Sequence, residues 1–155
     1  MKVFISYSNG DLEFAKKVAS MIKPHAEPIY WDKDKLPGDG DWDSIFTWIN
    51  DCAMVLALVS ESVVKRGLAV GQEIGYARKA GKVVIPFVSK NVSRDDLGYL
   101  KGLTAIHYDE LDSSTAIKEL ETTIQKQGEK IKNGEAIGIL AIAAIVLLIL
   151  TSKSK

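Results

Sequence analysis

The chain has 155 residues, 46% of them hydrophobic, enough to bury one core with an appendage beside it. Its 20 basic and 20 acidic residues cancel, and the lysines and arginines form no stripe, which argues against nucleic acid as a partner. Cys52 is the only cysteine, so an internal disulfide is excluded and a free, buried thiol in a reducing compartment is the expected reading.

The chain begins on a strand-like segment, MKVFISY, with no basic stretch followed by an apolar run and a cleavage site, so the bulk of the protein is expected to stay in the cytosol. Asn9, Gly10 and Asp11 supply turn residues and a helix cap. Ala15, Val18, Ala19 and Ile22 then recur at helical spacing, and Pro24 ends that helix. Pro28 to Asp32 reads as a second strand, followed by a polar, glycine-rich loop, KDKLPGDGD, longer than a tight connection needs. Asp41 caps a second helix with Trp42, Ile45, Phe46 and Ile49 on one face, and on that pattern Trp42 reads as a core residue. Ala53 to Val59 is an unbroken apolar run, as expected for a strand buried on both faces. Val70 to Ala80 is a third helix stopped by Gly81, and Val83 to Val88 a fourth strand. SKNVSRDDLGYLKGL is a loop with one helical turn, Thr104 to Tyr108 a fifth, weaker strand, and Ile117, Leu120 and Ile124 mark the last helix. Residues 126–133 are a linker or an extension of that helix.

The far end differs. Ala136 to Leu150 carries no charge and is apolar all round a helical wheel, which a surface helix is not. With its flanks, 134–152 approaches the roughly 20 residues of a membrane span. Lys130 and Lys132 before it, and Lys153 and Lys155 after it, can snorkel to the two interfaces. The expectation is a single C-terminal anchor with the preceding domain in the cytoplasm and a short basic tail, 153–155; a buried C-terminal helix is the alternative. Gly134 and Gly138 have the G-x-x-x-G spacing of closely packed membrane helices.

Strands alternating with helices argue for a parallel sheet covered on both faces. In the common order 2-1-3-4-5 the chain reverses direction between strands one and three, and ligands bind outside their carboxyl ends. Tyr7 to Gly10 and Ser60 to Ser62 then form the rim of the crevice. A phospho-acceptor domain needs aspartates where this rim has Ser8 and Ser60. The dinucleotide and phosphate-cradling glycine motifs are both absent. His25 and His107 are isolated, which leaves no histidine-based zinc site or triad. Asp39, Asp41 and Asp43 alternate as in a calcium loop, but Ser44 and Asn50 stand where its glycine and glutamate belong, so no metal is expected.

Glu73 is the carboxylate that helix chemistry alone does not explain. Glu13 has Lys16 and Lys17 at the helical pairing distances, whereas Ala69, Val70, Tyr76 and Ala77 occupy those positions around Glu73.

VFISYSNGD, the WDKDKLPGDGDW loop, LALVSESV and VGQEIGYARKAGKVVIPFV resemble, in order and spacing, the successive boxes of a TIR (Toll/interleukin-1 receptor) domain of prokaryotic type over residues 1–125. The resemblance implies an α/β, flavodoxin-like, five-stranded parallel sheet, with residues 33–41 as the mobile BB loop. Many TIR domains cleave NAD at the nicotinamide glycosidic bond, and the family's catalytic glutamate matches Glu73. NAD is then substrate rather than cofactor. Tyr7, Ser8 and Asn9 fall where the family contacts the nucleotide, and Gly38 and Trp42 belong to the loop that closes or bridges between subunits. Many catalytic members carry a tryptophan four residues before the glutamate; here that residue is Ala69.

Three functions follow. The first is a membrane-tethered NAD glycohydrolase or ADP-ribosyl cyclase of prokaryotic antiviral immunity, whose product depletes NAD or signals to a downstream effector. The second is a non-enzymatic adaptor acting through TIR–TIR assembly, with the anchor concentrating subunits in two dimensions. A third is a deoxyribosyltransferase-like enzyme, whose related fold also turns a glutamate on a nucleoside.

Overall fold

A computed structural model describes residues 1–31, 42–66 and 68–134. Five strands form one sheet: β1 (Lys2–Ser6), β2 (Glu27–Ile29), β3 (Met54–Val59), β4 (Val83–Ser89) and β5 (Ile106–Tyr108). All neighbours pair in parallel, in the order β2-β1-β3-β4-β5. The helices are α1 (Leu12–Ile22), α2 (Trp42–Asp51), α3 (Glu61–Arg66), α4 (Leu68–Lys79) and α5 (Ser114–Lys132), with 3-10 turns at Asn9–Asp11 and Arg94–Leu100.

The sheet order matches the sequence expectation, and the burial pattern shows why. β3 lies between β1 and β4 and is buried at every position, so both its faces must be apolar. Along β1, alternate side chains go to opposite sides. Val3 and Ile5 enter a core shared with α1 and α5, through residues such as Val18, Ile22 and Leu120. Phe4 enters a second core shared with α2 and α4, through Ile49, Val70, Ile74 and Ala77. The sheet is therefore a divider between two apolar layers.

Local chemistry sets the ends. β2 is shorter than the Pro28–Asp32 reading, and it is an edge strand, where a proline such as Pro28 can leave its missing donor on the side without a ladder partner. α3 was not foreseen as a helix of its own. It forms because the Ser60 carbonyl accepts from the amides of Val63 and Val64 while Val63 is buried. Lys82 donates to the carbonyls of Asn50 and Cys52 and so closes the end of α2. Gly81, at φ 71, turns the chain from α4 into β4, a conformation side chains other than glycine rarely adopt.

α5 continues to Lys132, and Ile131 repeats the stripe of Leu120 and Ile124 and packs on the same core. The extension also runs past the chain start: a Cβ at Gly128 would come within 2.9 Å of the Met1 side chain. α5 ends at Lys132, and Gly134, just past its cap, has φ 72. Among the described residues no helix is long and apolar enough to cross a membrane. The expected anchor at 134–152 lies outside the described residues apart from Gly134, as do the tail at 153–155 and the expected BB loop with Gly38.

Leu56 at the centre of β3 is fully buried, whereas Leu111 is 98% exposed. Leu56→Ala is expected to lower the unfolding free energy by about 2–5 kcal/mol and Leu111→Ala by no more than about 0.5 kcal/mol, read by urea denaturation.

Candidate functional site

The chain reverses direction between β1 and β3, opening the carboxyl end of the sheet there. On the α2/α4 side of this edge stands Glu73, half-buried on α4 between the apolar positions Val70, Ile74 and Ala77. Its helix neighbours offer it no cation, and the structure supplies a partner from another element. The Ser6 hydroxyl donates to Glu73 Oε2 at 2.5 Å. Ser6 is 1% exposed and shares its strand face with Phe4. Its register partner on β3 is Ala57, a small side chain beside the carboxylate's attachment point.

Aromatic rings line the same side. Phe46 of α2 stacks on Tyr76 of α4 at 4.1 Å, one turn after Glu73, and Asn50 Nδ2 donates to the Tyr76 hydroxyl at 2.7 Å. Trp42 lies 5.6 Å from Phe46 at the start of α2. It is half-buried, not the core residue its place in the apolar repeat suggests; the buried residues of α2 are Ile45 and Ile49. Trp31 meets Trp48 at 5.2 Å. Ala69 is exposed on α4.

Tyr7 goes to the other side, as strand alternation requires. Its ring packs against the α1/α5 core and meets Tyr30 edge-on at 6.4 Å, and its hydroxyl donates to the Trp31 carbonyl. Ser8 is buried, with its Oγ 3.2 Å from that of Ser62, and Asn9 is exposed at the start of the 3-10 turn. The structure therefore brings Ser6 to Glu73, sends Tyr7 across the sheet, and leaves Ser8 and Asn9 on the loop above β1. Ser6 was not singled out in the sequence. The available signal was a hydroxyl two residues after Phe4, in a strand otherwise apolar on that face.

A second set of polar groups gathers on the α1/α5 side. Asp11, expected as a helix cap, has the N-cap position but makes no capping bond with its side chain. Its Oδ2 instead accepts from the Ser60 hydroxyl at 2.6 Å, and Ser60 Oγ accepts from the Ser62 amide. These residues border a cavity of about 360 Å³, whose walls also include Phe14, Tyr108 and Glu110. Burial raises the pKa of Asp11 above the usual carboxylate value, against the opposing effect of the Ser60 hydrogen bond, and Glu110 adds to the rise. The Tyr108 phenol is raised mainly by burial, with Asp11 and Glu110 contributing. Cys52, 2% exposed, has its thiol pushed up to about 11 by burial, so it is an inert core residue. Among the described residues no group of three or more histidine, cysteine or carboxylate side chains is placed to hold a metal ion.

The model of the TIR domain family matches residues 3–124. The chain belongs to the TIR domain family. The TIR domains of the activated Roq1 resistosome, which recognises the pathogen effector XopQ, superpose with a TM-score of 0.61 at 13% identity, over 79% of this chain and 98% of theirs. The CMP N-glycosidase BcmB of Clostridium botulinum gives 0.57 at 15% identity, over 79% of this chain and 99% of its own. A prokaryotic SEFIR domain gives 0.52 at 22% identity, over 79% and 97%. At these identities the likeness is one of fold. No curated protein sequence matches the chain.

The raised pKa of Asp11 has a consequence for stability. The folded TIR domain holds this proton to higher pH than the unfolded chain, so the group disfavours folding once ionised, and that effect fades as pH falls through the folded pKa. Asp11→Asn is therefore expected to gain stability over the parent between about pH 4 and pH 7, and to lose that advantage at the acid end. Urea denaturation across that range reads the difference.

Proposed function

We propose that this TIR domain is an NAD nucleohydrolase that cleaves the bond between nicotinamide and ribose, with Glu73 as the catalytic carboxylate. The observation that carries the reading is Glu73 itself, a carboxylate at the carboxyl edge of the sheet, bound by a buried serine, with the stacked Phe46–Tyr76 pair one turn further along its helix. Nicotinamide departs from a cationic ring as a neutral molecule, so no general acid is required. The chemical demand is stabilisation of the positive charge that develops on the ribose, the oxocarbenium problem that glycosidases meet with carboxylates. A lysine three or four residues from Glu73 would cancel that negative charge, and the helix has none there. Addition of water yields ADP-ribose, nicotinamide and a proton; attack by the adenine of the same molecule yields a cyclic isomer.

The remaining roles rest on the family pattern. Tyr7, Ser8 and Asn9 contact the nucleotide, and Gly38 and Trp42 belong to the loop that closes over it or bridges to a neighbouring subunit. The reading includes TIR–TIR self-association, a cytoplasmic domain tethered by a single C-terminal anchor at 134–152, and a product sensed by a downstream effector in antiviral immunity. Two structural relatives, the CMP N-glycosidase and a 2-deoxyribosyltransferase with a TM-score of 0.55, bear names that describe nucleotide or nucleoside glycosyl chemistry, which supports an N-glycosidic bond as the target. The second reading, an adaptor without enzymatic activity, draws on one observation: Ala69 is exposed where many catalytic members carry a tryptophan.

Incubation of the purified protein with NAD, in detergent and on vesicles, followed by nucleotide chromatography, separates the two. The expected result is nicotinamide release that Glu73→Gln reduces by about 10²-fold or more. No release under assembled, membrane-like conditions leaves the adaptor, and undiminished release by Glu73→Gln moves the active site elsewhere.

A further inference from the structure

We infer that Ser6 is a positioning residue for Glu73, holding its carboxylate in a single orientation at the edge of the sheet. The inference rests on the reading of Glu73 as the catalytic carboxylate and deepens it.

Three observations carry it. The first is the bond: the Ser6 hydroxyl donates to Glu73 Oε2 at 2.5 Å. The second is rigidity at the donor end. Ser6 is 1% exposed and closes β1, which pairs with β2 on one side and β3 on the other. Its hydroxyl is thus anchored to a strand paired on both sides. The third is the surroundings. Ser6 shares its side of the sheet with Phe4, Val55, Ala57 and Val59, an apolar layer in which packing alone calls for no hydroxyl. A buried hydroxyl without an acceptor disfavours folding, so its presence in this layer is explained by the carboxylate it meets.

The consequence for the reaction is geometric and electrostatic. A glutamate has three side-chain torsions and on a helix surface samples several rotamers. A hydroxyl fixed to the sheet selects those that keep the carboxylate over the crevice. A hydrogen bond donated to a carboxylate also favours its charged form. A carboxylate that must face a developing ribosyl cation gains from both effects, because the orientation is in place before substrate arrives. Ser6 acts through Glu73 and is assigned no contact with NAD, so its removal should lower kcat and leave KM nearly unchanged.

The test is a graded series in the full-length protein, with nicotinamide release from NAD as the readout. Ser6→Ala removes the donor and little volume, and its neighbour across the register is already an alanine. The expected loss in kcat is about 10- to 100-fold, with KM within about 2-fold of the parent and the thermal midpoint close to the parent's. Ser6→Thr keeps the hydroxyl and suits a strand, and is expected to restore most of the rate. Ser6→Cys separates positioning from packing: it fills the site and is more apolar, but its thiol is a weak donor. Positioning predicts that Ser6→Cys falls well below Ser6→Thr, and packing predicts that it equals or exceeds the parent. Parental kcat in both Ser6→Ala and Ser6→Cys, with the parent active and Glu73→Gln inactive, overturns the role of Ser6 and leaves the proposed function standing. A parent that releases no nicotinamide overturns both.

Discussion

A parallel strand flanked by two others has no face turned to water, and β3 satisfies that constraint with an apolar side chain at each of its positions. Everything else in the domain is arranged around this strand. β1 and β4 pair with it along most of their length, and the two apolar layers meet it from opposite sides. Because the strands on its two sides are reached by crossovers in opposite directions, the sheet opens at the carboxyl ends of β1 and β3. The rim there consists of residues released from the apolar requirement: Tyr7 and Ser8 after β1, and Ser60 after β3.

Strand alternation then divides that rim. Ser6 and Tyr7 are adjacent in sequence, yet one reaches Glu73 through the α2/α4 layer and the other packs on the α1/α5 layer. The Tyr7 hydroxyl, bound to the Trp31 carbonyl, ties the ends of β1 and β2 together, while the Trp31 ring lies with Trp48 on the side of Glu73. The aromatic contacts of Trp42, Phe46 and Tyr76 link α2 to α4 on that side. Two chemically different edges result. One holds Glu73 bound by Ser6; the other holds Asp11, Glu61 and Glu110 with Ser60 and Ser62 around a cavity that Phe14 and Tyr108 also line.

The difference between these edges bears on chemistry. Asp11 is held by Ser60 but lies near Glu110, and burial pushes its pKa up. Glu73 is held by Ser6 on a helix with no cation at the pairing positions. A carboxylate in that setting suits charge stabilisation more than proton transfer, and an N-glycosidic bond with a cationic leaving base asks for charge stabilisation. The TIR domain thus keeps its reactive candidate on the side where α4, packed through Val70, Ile74 and Ala77, fixes its height above the sheet.

The two-sided burial of β3 and the apolar faces of α1 and α5 were legible in the sequence because each is written in periods of two or 3.6 residues, the strand order was expected from the common order of such sheets and the TIR resemblance, and Glu73 was marked by apolar or aromatic residues at its helical pairing positions. α3 was not, since its single turn is nucleated by the Ser60 carbonyl and the burial of Val63, neither of which has a period. The extension of α5 depended on Ile131 finding the core, and Trp42, on the same face as Ile45 and Ile49, is only half-buried at the first residue of α2. The partner of Glu73 could not be read at all. Ser6 lies far from it in sequence, and a hydrogen bond between a strand and a helix exists only once the register of β1 on β3 and the packing of α4 have been decided together. The sequence alone determined which residues had to be buried and which carboxylate stood apart. The tertiary structure decided what that carboxylate touches, because contacts between distant elements depend on packing and leave no periodic trace in the chain.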